Sequence, residues 1–238
     1  MEYSKLKRKD NMIIFFDLDG TLLDHKSSEY LGVKEFYNYN KKYFKFNENE
    51  FYKAWCDISE KHFNIYLAGK LTFREQRIER IKELFRLAKI KLSEHDAEKN
   101  FNEYLLNYEN NWKCFDDVKP CLDSLKDYRL GIISNGDLTQ QNLKLEKMKI
   151  KSYFEIIITA GEVGISKPNV EIFKIAASKA NVELRYCYYV GDDLNTDILP
   201  CKKVNMKGIF IDRNGIAGKI VDFAVINSLE NLKNYIEG

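Results

Sequence analysis

The chain has 238 residues, enough for one α/β domain with an inserted subdomain, and 38 Lys and Arg against 36 Asp and Glu leave a net charge of +2. Acidic and basic residues interleave, so composition gives no support to nucleic-acid binding, and no apolar stretch approaches the roughly 18 residues of a membrane helix or resembles a signal peptide. Five cysteines without a CxxC pair and three scattered histidines argue against a zinc array and for reduced thiols, so the chain reads as cytoplasmic and any metal as oxygen-ligated.

In chain order, Lys5-Leu6-Lys7-Arg8-Lys9 reads as a solvated terminal tail. Residues 12–16 are too few for a helix and stop abruptly at Asp17-Leu18-Asp19-Gly20, the pattern of a buried strand delivering two acids to a sheet's carboxyl edge. On an extended backbone Asp17 and Asp19 point to one side, so one can touch a substrate or metal while the other handles a proton. Alone, the same residues also describe an ordinary turn.

Residues 26–108 read as helices. Asn47 with Glu50 and Thr72 with Glu75 form capping boxes, and Ser93 caps a further helix. Apolar stripes follow at helical spacing, among them Phe51, Trp55 and Ile58, then Ile78, Ile81 and Phe85, then Phe101, Tyr104 and Tyr108; they read as core. Lys70, Arg74 and Arg77 near one turn are candidates for an anionic substrate group, with ordinary helix-surface charge as the simpler reading.

After Asp116 the pattern alternates. Strands are expected over 130–134, 155–159, 187–190, 208–211 and 223–226, and helices over 118–128, 139–148, 170–180 and 195–203. Such alternation implies a mainly parallel sheet covered on both faces, a three-layer α/β core that the first strand joins. The expected division is a sheet domain over 1–24 and 113–238, interrupted by a helical bundle over 25–112.

Three more strand ends carry polar groups. Ser134-Asn135-Gly136-Asp137 offers a hydroxyl and, where a helix follows, free N–H groups for an anion. Lys167-Pro168 comes after the loop Gly161-Glu162-Val163-Gly164, and a proline in the first turn of the next helix would fix the lysine near the sheet edge. Gly191-Asp192-Asp193 with Asp197 places three carboxylates after a strand, where repulsion is relieved by a hard divalent cation such as Mg²⁺.

Together these motifs resemble the haloacid dehalogenase (HAD) superfamily, and Ser134-Asn135-Gly136-Asp137, Gly161 to Gly164 and Thr196-Asp197-Ile198 resemble its pyrimidine 5'-nucleotidase and N-acylneuraminate 9-phosphatase-like branch. The resemblance implies a Rossmann-like core with a helical C1 cap that sets specificity. It implies Asp17 as nucleophile and Asp19 as acid and base, with Mg²⁺ on the Asp17 and Asp192 carboxylates and the Asp19 carbonyl. Ser134, the Asn135 backbone and Lys167 would hold the phosphoryl group, with Asp193 and Asp197 in supporting roles. An acid at position 19 favours phosphate esters over carbon–halogen bonds. The expected activity is hydrolysis of a small phosphate monoester, a nucleoside monophosphate or sugar phosphate, by a monomer or homodimer. A β-phosphoglucomutase-type phosphomutase, which usually has an acid where this chain has Gly191, and an idle HAD-like binding protein are the alternatives. The family's usual Gly-Gly and Ala-Gly are missing around Pro200-Cys201 and Val204-Asn205, so local geometry there is expected to differ.

Overall fold

Six short apolar runs pair into one sheet. In this computed structural model, which describes residues 11–215 and 223–238, the strands are β1 (Ile13–Phe16), β2 (Arg129–Ser134), β3 (Ile156–Thr159), β4 (Cys187–Gly191), β5 (Lys207–Ile211) and β6 (Ala224–Ile226). All pairings are parallel, in the order β3-β2-β1-β4-β5-β6. The basic run over residues 5–9 lies outside the described residues.

Continuous Ile, Val, Phe and Tyr suit strands buried on both faces, and β1 and β4 are buried at every position. Alternation divides β1, with Ile13 and Phe15 joining one core together with Ile133, Ile158, Ile172, Phe173 and Tyr189. Register positions the chemistry: Phe16 lies level with Ile132 of β2 and Val190 of β4, and Ser134 with Thr159 of β3. Asp17, Ser134 and Asp192 therefore emerge at one edge of the sheet. β1 is also where the strand order reverses, the position at which open α/β sheets bind ligands.

The chain divides into two compact units, Met1–Asp24 with Lys113–Gly238, and His25–Trp112. The second is built from α1 (His25–Asn40), α2 (Glu48–Leu67), α3 (Phe73–Leu87) and α4 (Glu94–Asn110). Both capping boxes form, Asn47 with Glu50 and Thr72 with Glu75, and the Ser93 hydroxyl accepts from the Asp96 N–H. Its aromatic stripes are core: Phe36, Phe51, Trp55 and Tyr104 are buried, with the Trp55 and Tyr104 rings 4.1 Å apart. Arg74 is exposed and pairs with Glu94 and Glu98, and the Arg77 guanidinium lies 4.1 Å from the Phe73 ring. Lys70 is exposed.

The sheet unit carries α5 (Val118–Ser124), α6 (Leu138–Lys147), the single turn α7 (Ala160–Val163), α8 (Glu171–Lys179), α9 (Leu199–Lys203) and α10 (Leu232–Glu237). Four details differ from the sequence expectation. The first helix ends at Ser124, well short of residue 128. Residues 161–164 do not form an open loop, because the Thr159 hydroxyl accepts from the Glu162 N–H and starts a helical turn. Pro168 is not in the first turn of a helix, since α8 begins at Glu171. The segment after β4 opens with a π-helical turn, Leu194–Ile198, before α9, where Pro200 lies in the first turn.

No described helix is long and apolar enough to cross a membrane. All five cysteines are free.

Candidate active site

The Asp17 N–H donates to the Val190 carbonyl at 2.8 Å, which carries the β1–β4 pairing one residue past the strand and fixes the Asp17 backbone. The residue is 5% exposed, and its Oδ1 accepts from Lys167 Nζ at 2.7 Å. Lys167, also buried, donates to Asp197 Oδ1 at 2.7 Å and to the Tyr189 hydroxyl at 2.8 Å. The three contacts match the three donors of an ammonium. The lysine backbone is clamped by Asn135, whose Nδ2 donates to the Lys167 carbonyl at 2.9 Å while Oδ1 accepts from the Lys167 N–H at 2.7 Å. A two-way amide clamp therefore orients Lys167, where the sequence suggested a proline at a helix start.

Three carboxylates gather around this ammonium. Asp17, Asp192 and Asp197 each offer an oxygen within 4.8 Å of the others. Asp17 and Asp192 are the two carboxylates that the resemblance put on the metal, and Asp197 completes the cluster while Asp193 stays outside it. Asp193 is exposed and caps the π turn, with Oδ1 accepting from the Thr196 N–H at 2.7 Å and its own N–H donating to Asp197 Oδ2. Gly191 makes the approach possible, since a Cβ there would lie 2.4 Å from Asp197 Oδ2.

Burial pushes the Asp17 carboxyl well above its usual range; Asp197 and Asp192 add to this and Lys167 opposes it. Asp192 is pushed up to about 6, by burial first and then by Asp197, against the pull of Lys167 and the Thr21 hydroxyl. Burial disfavours the Lys167 charge, but Asp17 and Asp197 outweigh it and raise its pKa. Three carboxylates against one ammonium leave an excess of negative charge that a divalent cation would neutralise. Both Asp197 oxygens are engaged by Lys167, Tyr189 and the Asp193 N–H, whereas the donor to Asp17 uses only Oδ1.

Asp19 faces a different set of partners. Its Oδ1 accepts from Lys144 Nζ at 2.6 Å and its Oδ2 from Gln141 Nε2 at 2.8 Å. Gln141 Nε2 also donates to Ser134 Oγ at 2.6 Å, so the end of β2 and the loop after β1 share one amide.

Gln141, Lys144 and Tyr189 were missed by the sequence reading. Tyr189 reads as an ordinary core aromatic, and its hydroxyl is the part that matters. Gln141 and Lys144 were legible in principle: with Leu145 and Met148 they occupy positions i, i+3, i+4 and i+7, the inward face of α6, where a lysine and a glutamine are out of place.

Residues 12–205 match the haloacid dehalogenase-like hydrolase family. The chain belongs to that family. It is 29% identical over 238 residues to the glyceraldehyde 3-phosphate phosphatase of Methanothermobacter thermautotrophicus, covering 94% of this chain and 98% of the relative. It is 29% identical over 214 residues to the human N-acylneuraminate-9-phosphatase, covering 85% and 83%. The HAD-hydrolase YfnB from Bacillus subtilis, solved bound to magnesium, superposes with a TM-score of 0.77 over 95% of this chain and 99% of that one, at 19% identity. In this HAD-like hydrolase the buried charges Asp17, Lys167 and Asp197 lie at or beyond the ends of β1, β3 and β4.

Proposed function

We propose that this HAD-like hydrolase is an Mg²⁺-dependent phosphatase that cleaves the phosphate monoester of a small carbohydrate metabolite through an aspartyl-phosphate on Asp17. One observation carries the reading: Asp17 is held by Lys167 within an acidic cluster, while Asp19, two residues on, is held separately with both its oxygens hydrogen-bonded. Two carboxylates with different partners suit two roles.

The donor set fits the metal. Hard oxygen ligands, an excess of negative charge and an Asp17 oxygen not used by Lys167 are what Mg²⁺ requires. The Asp17 and Asp192 carboxylates and the Asp19 carbonyl would hold it, and the bound ion offsets repulsion between carboxylate and phosphate. Asp197 instead anchors Lys167, with Asp193 supporting it through its N–H.

In the first half-reaction an Asp17 oxygen forms a bond to phosphorus as the ester P–O bond breaks, and Asp19 gives its proton to the departing oxygen. In the second, water attacks phosphorus, the bond to Asp17 breaks, and Asp19 takes the water proton. Lys167, the Ser134 hydroxyl and the Asn135 N–H hold the phosphoryl oxygens; the Asn135 side chain is committed to the Lys167 backbone.

The curated relatives are named for glyceraldehyde 3-phosphate and N-acylneuraminate 9-phosphate, which favours a phosphorylated carbohydrate over a nucleotide. Hydrolysis is favoured over phosphomutase chemistry because the acid usual in that group is replaced here by Gly191, where a Cβ would lie 2.4 Å from Asp197 Oδ2. Phosphate release from a panel of sugar phosphates and nucleotides, with Mg²⁺ or with chelator, tests the reading. We expect metal-dependent release, strongest on a sugar phosphate. A folded, metal-loaded protein inert across the panel contradicts it.

A further inference from the structure

The geometry points to Lys144 and Gln141 as positioning residues for Asp19, which hold its carboxyl at the angle from which it serves the leaving oxygen. This rests on the phosphatase reading above. Both lie on α6 three residues apart, on one face of the helix, and both are buried, Gln141 at 0% and Lys144 at 3% exposure. Between them they put one donor on each Asp19 oxygen, Lys144 at 2.6 Å and Gln141 at 2.8 Å.

A carboxyl held through one oxygen can still swing about that contact. Held through both, its plane is fixed, and the orientation of a proton donor is part of its efficiency. The cost of the arrangement argues that it is specific. A lysine on the inward face of a helix gives up its hydration, and Gln141 Oε1 is buried without a hydrogen-bond partner among the described residues. An apolar pair would pack that face without either penalty.

Two neighbours are shaped to the same end. Gly136 leaves room for the amide, since a Cβ there would lie 2.4 Å from Gln141 Cδ. The Gln141 amide also reaches Ser134 Oγ at 2.6 Å, so the same side chain sets the hydroxyl that faces the phosphoryl group in the proposed mechanism.

A purely structural ion pair, tying α6 to the loop after β1, would slow every substrate alike. A positioning role predicts dependence on the leaving group. An alkoxide departs only with a proton, whereas p-nitrophenolate departs without one. The readout is kcat/KM, which reports on leaving-group departure, for an alkyl phosphate monoester and for p-nitrophenyl phosphate, in wild type, Lys144→Met and Gln141→Met.

Asp19 is 27% exposed, so water solvates it when Lys144 is lost, and methionine suits the apolar face. In Lys144→Met we expect kcat/KM to fall about 100-fold on the alkyl ester and less than about 10-fold on the aryl ester. Gln141→Met, which keeps the charge pair, shows the same ordering with smaller losses and stands in if Lys144→Met does not fold. Equal losses on both esters in a folded variant overturn this inference alone. A wild type inert on both esters overturns the phosphatase reading and this inference with it.

Discussion

Asp117 does at the residue scale for the sheet unit what Lys167 does for the acidic cluster. Its carboxylate accepts from both Arg213 terminal nitrogens, at 2.9 and 3.0 Å, from the Ser228 hydroxyl at 3.1 Å and from the Leu229 N–H at 2.9 Å. Arg213 also donates to the Thr21 carbonyl at 2.8 Å, so this pair braces the loop that carries Asp19. Burial alone would raise the Asp117 pKa, but Arg213, Leu229 and Ser228 outweigh it and hold the carboxyl below its usual range. A depressed folded pKa stabilises the fold above the unfolded value, about 3.9, and the contribution disappears as pH falls through the folded value. Asp117→Asn should therefore cost about 2 kcal/mol in urea unfolding at neutral pH, with a smaller gap to wild type at an acid pH below the unfolded value. A gap of equal size at both pH values would refute this assignment. Individual residues were unevenly legible in the sequence. Asp17, Lys167 and Asp192 announce themselves as polar groups at or beyond the ends of apolar strands, and the structure brings them together. Gln141, Lys144 and Tyr189 lie inside amphipathic or apolar patterns, where a polar atom is hidden by the neighbours that make the pattern.

At the scale of elements, strands were easier to place than the turns after them. A run such as Ile-Ile-Phe-Phe has one stable use in a parallel sheet, so strand positions follow from composition. Turn geometry depends on side-chain contacts across the fold. Thr159 starts a helical turn where two glycines suggested a loop, and Asn135 fixes Lys167 where proline seemed sufficient. The π turn Leu194–Ile198 follows from the same cause. Its residues bring Asp197 back under Gly191, with the Asp193 N–H on Asp197 Oδ2 and the Asp193 carboxylate on the Thr196 N–H. Gly191 has no room for a methyl group, so Gly191→Ala must displace Asp197 and loosen Lys167. We expect a loss of about 1–3 kcal/mol in unfolding free energy and at least about a tenfold fall in kcat. An alanine variant with wild-type stability and rate would show that this close approach does not matter.

For the whole molecule, the parallel sheet concentrates in one place what the sequence scatters over 180 residues from Asp17 to Asp197. The order β3-β2-β1-β4-β5-β6 puts β1 at the point of reversal, with β2 and β4 on either side, so groups from distant segments meet around Asp17. That convergence was legible because alternating strands and helices admit few topologies. The helical unit His25–Trp112 follows β1 in sequence and holds its own aromatic core, and its exposed arginine 74 is spent on Glu94 and Glu98. Substrate choice was not legible, because in the proposed reaction the motifs at the strand ends would address only phosphate and metal. The proposed reaction transfers a phosphoryl group covalently to Asp17. Acid quenching during turnover of a sugar phosphate with Mg²⁺, followed by peptide mass spectrometry, should find one phosphoryl group on the peptide carrying Asp17, absent without metal and absent in Asp17→Asn, which also releases no phosphate. Continued phosphate release by Asp17→Asn, with no adduct in either protein, would contradict the account.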